Sequence, residues 1–147
     1  MSNEMKFVYA SEVILEASGA SAASNAFAAA DDTSLAVANH SDYPMADFAL
    51  TCDFGAAVAP GGVVNLYRQD MDVTAGGADA PAPATTYKEY YVGSFVIPSG
   101  QSASATYPVS NIPLSRTCQF SIENTTGQNL SAGWILKATP KTYGPVP

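Results

Sequence analysis

The residues of this sequence that could carry out chemistry begin with a single histidine. His40 lies in the segment NHSDYP, close to Asp42 and a serine, and those three residue types make up hydrolytic triads. No G-x-S-x-G segment accompanies them. A solvated loop histidine is the simpler interpretation, so we expect His40→Ala to leave the function intact.

Two cysteines are the next candidates, because a thiolate is a strong nucleophile and a metal ligand. Cys52 lies in DFALTCDF and Cys118 in TCQFSIE, and both runs place the thiol on an apolar face, where burial leaves it unreactive. Two cysteines are also too few for a disulfide framework or a metal site of their own. We expect buried free thiols, with a disulfide as the alternative.

Carboxylates recur at Asp31 and Asp32 and again at Asp70, Asp72 and Asp79, and carboxylate oxygens are ligands that calcium prefers. Their spacing fits no calcium loop, so surface charges that keep the protein soluble are the simpler explanation. Paired carboxylates for glycoside hydrolysis could come from distant parts of the chain, but nothing in the sequence favours them. We predict that the protein is not an enzyme and has no catalytic, cofactor-binding or metal site.

Length, composition and charge limit the kind of protein to which these residues can belong. The 147 residues fit one domain, residues 1–147. Six basic against 13 acidic residues give a net charge of -7, which repels phosphates, so neither nucleic acid nor an anionic membrane is an expected partner. Neither a signal-peptide pattern nor a run of ~20 apolar residues is present, and we therefore expect synthesis in a cytoplasm.

Alternation of apolar and polar residues is the main pattern and predicts β-strands. DFALTCDF is the clearest strand, and the runs that begin near Cys118 and at Trp134 also alternate. The segment NTTGQN between those two runs predicts a hairpin that places Trp134 in the core near Phe120 or Ile122. The predicted core residues are Phe48, Leu50, Cys52, Phe54, Cys118, Phe120, Ile122, Trp134 and Leu136.

Further short strands are predicted along the chain, separated by Gly and Pro. The whole chain is expected to form seven or eight short strands, and no amphipathic helix is evident. This pattern predicts an all-β, two-sheet antiparallel β-sandwich, a jelly roll first and an immunoglobulin-like sandwich second. The further strands are residues 6–16, 63–71 and 87–97, with weaker ones at 26–30, 35–38, 104–107 and 112–114.

The predicted strand 87–97 is apolar on both faces. Such a strand is either central and covered by a loop, or packed on another subunit, and a sugar-stacking platform of tyrosines is a third alternative. The Pro-rich ADAPAPATT segment before it could reach a neighbour as an extended arm. The candidate subunit-interface residues are Tyr87, Tyr90, Tyr91, Val92, Phe95 and Val96.

Three segments, NLYRQDMDV, APAPATTYKEYYVGSFVIP and TGQNLSAGWILKATPKTYGP, resemble small all-β structural proteins of tailed bacteriophages. The resemblance implies a virion component made in the host bacterial cytoplasm. It implies a capsid decoration or cement protein that binds the major capsid protein or other virion proteins, with a tail- or fibre-associated protein as the alternative.

A homo-oligomer is also expected, with a trimer at local threefold positions favoured, because one copy could then touch several capsomers. A receptor- or glycan-binding module is the competing function, and it would need aromatic side chains exposed near loops or chain ends. Tyr43, Tyr107 and Tyr143 are the candidates for that role. A hydrolase is the third possibility and would need His40 or clustered carboxylates to converge in a cleft.

Overall fold

Nine β-strands make up the secondary structure of the part of the chain that the computed structural model describes, residues 5–36, 42–71, 84 and 90–145. No helix long and apolar enough to cross a membrane occurs in these residues. The strands are β1 (Met5–Tyr9), β2 (Val13–Gly19), β3 (Ala26–Ala36), β4 (Met45–Cys52), β5 (Val63–Asp70), β6 (Tyr91–Val96), β7 (Ala105–Pro113), β8 (Thr117–Asn124) and β9 (Trp134–Pro145).

The strands pair in nested order along the chain. β5 pairs with β6, β4 with β7, β3 with β8 and β2 with β9, all antiparallel. The result is a long hairpin wrapped into two packed sheets, which is a jelly roll. The first sheet has the order β1-β9-β4-β7 with β2 also paired to β9, and the second has the order β3-β8-β5-β6. The predicted β-sandwich is confirmed in its jelly-roll form.

Period-two alternation determines which side chains fill the space between the sheets. Along β4 every second residue is buried, and Phe48 of the first sheet meets Phe120 of the second with ring centroids 4.7 Å apart. All nine residues that the sequence places in the core are buried. Large apolar side chains that are less than 2% exposed also include Leu15, Leu35, Leu66, Phe95, Ile97 and Leu130.

The segment from Cys118 to Pro140 is not the hairpin that the sequence predicts. β8 lies between β3 and β5 in the second sheet, whereas β9 lies in the first sheet beside β4. The turn between them, with Gly127 and Gly133 in the left-handed region, therefore carries the chain from one sheet to the other. The hairpin prediction was wrong because alternation identifies strands but does not identify their partners.

Trp134 lies in the core at the start of β9. Its side chain is 1% exposed, and its indole N–H donates to the carbonyl of Ala20 over 2.8 Å. The indole ring lies on Gly19, where a Cβ atom would overlap the ring. Gly19 therefore leaves the space that the indole occupies, a contact that the sequence did not indicate.

Other predicted strands have different bounds in the structure. The predicted strand 6–16 is two strands, β1 and β2, which lie one after the other along the same side of β9. The weak strand 26–30 and residues 35–36 of the weak strand 35–38 belong to one strand, β3, whose pairing with β8 skips from Ala30 to Leu35, and residues 37–38 lie outside the described residues. Residues 105–107 and 112–113 of the predicted strands 104–107 and 112–114 belong to β7, an edge strand that accommodates two prolines.

Candidate binding surface

Large exposed apolar side chains are concentrated at one place, the outer face of the first sheet along β1 and the end of β9. Phe7, Tyr9 and Tyr143 are 46%, 52% and 56% exposed. Phe7 lies opposite Tyr143 in the strand register, and their rings meet edge to face with centroids 5.4 Å apart. Alternate residues of a strand share a face, so Met5 continues the same row. Met5, Phe7, Tyr9 and Tyr143 together form the apolar row.

The apolar row lies on the outer face of the first sheet, which does not face the second sheet, and the strands that carry it extend past the end of β4. β4 pairs with β9 only as far as Lys141, whereas β1 pairs with β9 as far as Pro145. Residues 5–9 and 141–145 therefore form a two-stranded ribbon, the β1–β9 ribbon, at the end of the first sheet. A two-stranded ribbon cannot bury both faces by itself, so its aromatic side chains remain accessible.

A buried lysine anchors the ribbon to the sheet. Lys141 is only 3% exposed, and its Nζ lies 2.6 Å from Asp47 Oδ1 on β4. The same Nζ lies 4.6 Å from the ring centroid of Phe7 and 5.9 Å from that of Tyr9, within the range of cation–π attraction. The rings of the apolar row thus cover the lysine on the side away from β4.

Asp47 is the negative half of this anchor. Its carboxylate also accepts a hydrogen bond from the Asn111 amide over 3.0 Å. Burial acts to raise the pKa of Asp47, but the hydrogen bonds and the charge of Lys141 outweigh it and hold the pKa below its ordinary value. The carboxylate is therefore ionised at neutral pH and paired with Lys141.

An open cleft of about 840 Å³ adjoins the apolar row at Tyr9. Tyr43 and Thr33 also line this cleft, together with Glu12, whose carboxylate lies 2.9 Å from Lys137 Nζ. Two tyrosines with neighbouring hydroxyl and carboxylate groups could bind a polar ligand that has an apolar face. The cleft and the apolar row form one continuous surface through Tyr9.

The outer face of the second sheet is organised differently. Tyr67 OH donates to Glu123 Oε2 over 2.8 Å, and Asn65 Nδ2 donates to the same oxygen over 3.1 Å. Ser94 Oγ donates to Asn65 Oδ1 over 2.7 Å, and it lies 2.8 Å from Tyr91 OH. Burial raises the pKa of Tyr67, and the neighbouring Glu123 raises it further. These residues bond to one another, which indicates a structural role.

The predicted interface residues do not share one surface. Phe95 is fully buried and Val92 packs against the core, whereas Tyr91 and Val96 are 51% and 70% exposed. Tyr90 is partly exposed, and Tyr87 lies outside the described residues. The surface of β6 that remains available to a partner therefore consists mainly of Tyr91 and Val96.

Among the described residues β6 is an edge strand, so the alternative in which it is central and covered by a loop was wrong, whereas packing on another subunit stays a prediction. The register between β5 and β6 shifts so that Leu66 pairs with Gly93 and Tyr67 with Tyr91, which leaves Val92 as an extra residue. A bulge of this kind changes which face the following residues occupy. Tyr91 and Phe95 therefore lie on opposite faces, although simple alternation places them together.

The proposed nucleophiles do not form a reactive site in the described residues. Cys52 and Cys118 are free thiols in the core. Burial raises the pKa of Cys52 to about 12, and it also raises the pKa of Cys118. Asp42 is exposed, and His40 lies outside the described residues. Neither thiol is ionised at neutral pH, so neither can act as a nucleophile there.

The structure adds Glu16 to the acidic pair Asp31 and Asp32, with carboxylate oxygens of the three residues within 4.8 Å of one another. Asp32 accepts the Ala17 amide over 2.7 Å, and Glu16 accepts the amides of Ser18 and Asp31 over 3.1 and 3.3 Å. These bonds connect β2 with the irregular part of β3, which gives the carboxylates a structural role.

Asp70 lies 3.0 Å from Arg68 Nε and accepts a hydrogen bond from Ser115. It is thus held by neighbouring side chains. Asp72 and Asp79 lie outside the described residues.

The three tyrosines proposed for glycan binding have different environments. Tyr107 is buried at 6% exposure, which contradicts its proposed place on an accessible loop. Tyr43 is partly exposed in the cleft, and Tyr143 is exposed in the apolar row. Phe7 and Tyr9 were missed, because the run MKFVY alternates like any half-buried strand. Its position at the end of the sheet depends on tertiary structure.

No protein-family model matches the chain, and comparisons with curated proteins and with solved structures give no match either.

Proposed function

We propose that this protein is a non-enzymatic structural component of a tailed-bacteriophage virion, a capsid decoration or cement protein that binds the assembled head. The observation that carries the proposal is the apolar row on the outer face of the first sheet. Exposed contiguous apolar patches of this kind mark binding surfaces in soluble proteins. The sequence resemblance supplies the virion context.

Charge supports a contact made by apolar and aromatic side chains. The β1–β9 ribbon contains two lysines and no carboxylate, although the whole chain has a net charge of -7. One of those lysines, Lys141, is neutralised by Asp47. The ribbon is thus the part of this acidic protein that can approach another acidic surface with little repulsion, and its contact should tolerate salt.

Cementing would work through many modest contacts. Each copy would bury a limited area on neighbouring capsid subunits, and the copies together would oppose the outward pressure of packed DNA. No bond is made or broken in this role. Reversible docking of a rigid β-sandwich is sufficient.

Binding to undecorated heads of the phage that encodes the protein tests the proposal. Wild-type protein should sediment with the heads in both low and high salt, whereas Tyr143→Lys should bind at least tenfold more weakly. Ala56→Lys is the charge-matched control, since Ala56 is exposed and lies outside the ribbon, the cleft and β6. Absent binding, or binding abolished by moderate salt, would contradict the proposal. An image reconstruction of the virion would distinguish a head from a tail or fibre location.

Self-association into a homotrimer is also proposed, as the sequence resemblance implies. The exposed side chains of β6, Tyr91 and Val96, support it. Sedimentation velocity at micromolar protein should show a trimer, and Tyr91→Lys should weaken it. A monomer at every concentration would count against a subunit interface on β6.

A glycan-binding module is the second candidate, and the cleft between Tyr9 and Tyr43 favours it. Aromatic rings can stack on sugar faces, while Thr33 and Glu12 could bond to sugar hydroxyls. A glycan array should then show ligands that bind wild-type protein and are lost in both Tyr9→Ala and Tyr43→Ala. Retention of array binding in Tyr43→Ala would exclude the cleft as the site.

A further inference from the structure

Edge strands of a jelly roll expose unpaired backbone groups, and most edges in this protein carry features that discourage pairing with another chain. β7 contains two prolines and Asn111 in the left-handed region. β6 has a register shift, and β3 has an irregular segment with two aspartates. β2 has two register shifts along β9. Prolines, bulges and charges of this kind are the usual protection of natural edges.

β1 is the exception among these edges. Its five residues pair with β9 in one uninterrupted register, from Met5 opposite Pro145 to Tyr9 opposite Lys141. It contains no proline, glycine or carboxylate. In the described part of the chain β1 pairs only with β9, so its other edge has no strand partner among these residues.

The register also indicates which backbone groups point outward. The Ala10 amide donates to the Pro140 carbonyl over 2.8 Å, in the same register one residue beyond β1. Residues of an antiparallel edge strand turn alternately toward and away from their neighbour. The even-numbered residues therefore bond to β9, and the peptide groups of Met5, Phe7 and Tyr9 point toward the open edge.

We propose that β1 pairs antiparallel with β1 of a second copy of this chain, about a two-fold axis at Phe7. In this register Phe7 lies opposite Phe7, Met5 opposite Tyr9 and Lys6 opposite Val8 of the other copy. It is the register that pairs all five residues, and it places no two like charges opposite each other. The outward peptide groups of Met5, Phe7 and Tyr9 gain partners on the other copy.

Residue chemistry supports a second copy as the occupant. Along β1 the odd residues are all apolar, and opposite residues in an antiparallel pair share a face. The apolar rows of the two copies would thus join into one patch, and the first sheets would form one continuous sheet. A carboxylate at an odd position of β1 would interrupt this joined apolar patch, and β1 contains no carboxylate. The contact involves only this chain, so it does not depend on the proposed role in a virion.

A pair of substitutions at Val8 tests the pairing without altering the apolar row. Lys6 of each copy would lie opposite residue 8 of the other copy. Val8→Lys would therefore create two lysine–lysine pairs in each dimer, whereas Val8→Glu would create two opposite-charge pairs. The proposed β6 contact would give trimers, so the β1 contact is best isolated in Tyr91→Lys. In that background we expect sedimentation equilibrium of the full chain to show a dimer, weakened about threefold to thirtyfold by Val8→Lys and strengthened by Val8→Glu. Added salt should reduce both effects. A monomer at every concentration, or equal effects of both substitutions, would overturn the proposal.

Disulfide cross-linking tests the register. Opposite residues in a bonded antiparallel pair have Cα atoms about 5.5 Å apart, within disulfide range. Under mild oxidation Phe7→Cys should form a covalent dimer, whereas Lys6→Cys should not, because its two copies would be diagonal neighbours. The native thiols Cys52 and Cys118 are buried and should not interfere. Efficient cross-linking of Lys6→Cys with none for Phe7→Cys would overturn the two-fold register.

The experiments can show whether the β1 pairing fails or the proposed head binding fails. Loss of the dimer in Val8→Lys with head binding retained would separate the two-fold contact from the shell contact. A trimer that Val8→Lys and Val8→Glu leave unchanged would also overturn the β1 pairing, and it would favour the contact on β6.

Discussion

The two ends of β9 have similar alternation but different environments. At its start, Trp134, Leu136 and Ala138 are at most 1% exposed, with β2 on one side and β4 on the other. At its end, Tyr143 is 56% exposed, and this part of the strand pairs only with β1. Trp134, Leu136 and Ala138 lie on the inner face of the first sheet and Tyr143 on its outer face, so the two ends differ both in the face that carries the large side chains and in the neighbouring strands.

This difference separates a structural end from a surface that is available for contacts. The buried end fixes the strand to the core through a specific fit between Trp134 and Gly19. The exposed end is held by the pair Lys141 and Asp47, above which the aromatic rings stay accessible. Substitutions at the two ends should therefore affect different properties, stability at one and binding at the other.

The largest expected effect is at the buried end. Trp134→Ala should lower the free energy of unfolding by about 3 to 5 kcal/mol, because it leaves a large cavity and an unpaired Ala20 carbonyl. Urea unfolding measures this change, and Trp134→Phe should cost less because most of the volume remains. Readily quenched, red-shifted tryptophan fluorescence of the native protein would contradict a buried indole.

Glycine substitutions compare the two ends directly. Gly19→Ala would force a methyl group into the indole ring of Trp134, and we expect a loss of about 1 to 3 kcal/mol. Gly144 lies at the exposed end, where a Cβ atom would meet nothing within 4 Å. Gly144→Ala should change stability by less than about 0.5 kcal/mol. Equal losses in thermal unfolding would refute the distinction between the ends.

Much of the fold could be predicted from sequence because each strand alternates independently of its partners. The two-sheet sandwich and the burial of Phe48, Phe120 and Trp134 follow from period-two patterns alone. Strand pairing could not be predicted in the same way. A Gly-containing turn such as the one between β8 and β9 fits a hairpin and a crossing between sheets equally well.

The binding surface was harder to predict for the same reason. MKFVY has the pattern of a half-buried strand, which predicts its apolar face inward, but the structure places Phe7 and Tyr9 on the outer face of the first sheet. Phe95 and Val92 were assigned to a subunit interface although they contribute to the core, because a one-residue bulge at Val92 is invisible in the pattern. Both errors concern tertiary position, which local sequence does not encode.

The ion pair between Lys141 and Asp47 makes a smaller, pH-dependent contribution to stability. Asp47→Asn should lower the free energy of unfolding by about 1 to 2 kcal/mol at pH 7. This is less than a fully buried hydrogen-bonded charge pair would contribute, because the Asp47 side chain is 27% exposed and solvent screens its charge. The folded pKa of Asp47 lies below its ordinary 3.8, so the unfolded chain binds more protons near that pH. The pair's contribution should be complete above about pH 5 and should be lost as pH falls through the folded pKa.

Chemical unfolding of wild type and Asp47→Asn between about pH 7 and pH 3 measures this contribution, within the range where the protein folds reversibly. The difference in unfolding free energy between the two proteins should shrink as the pH falls. A difference that stays constant over this range would show that Asp47 does not contribute through its charge.

The smallest expected effect on stability, and the one that most sharpens the comparison, is at Tyr143. Its ring contacts Phe7 but is 56% exposed, so Tyr143→Ala should lower the unfolding free energy by less than about 1 kcal/mol. The same substitution removes the member of the apolar row that lies on β9, and it should weaken head binding severalfold. Tyr143→Phe keeps the ring and should retain both properties. A stability loss in Tyr143→Ala comparable to that of Trp134→Ala would mean that the exposed end of β9 is structural after all.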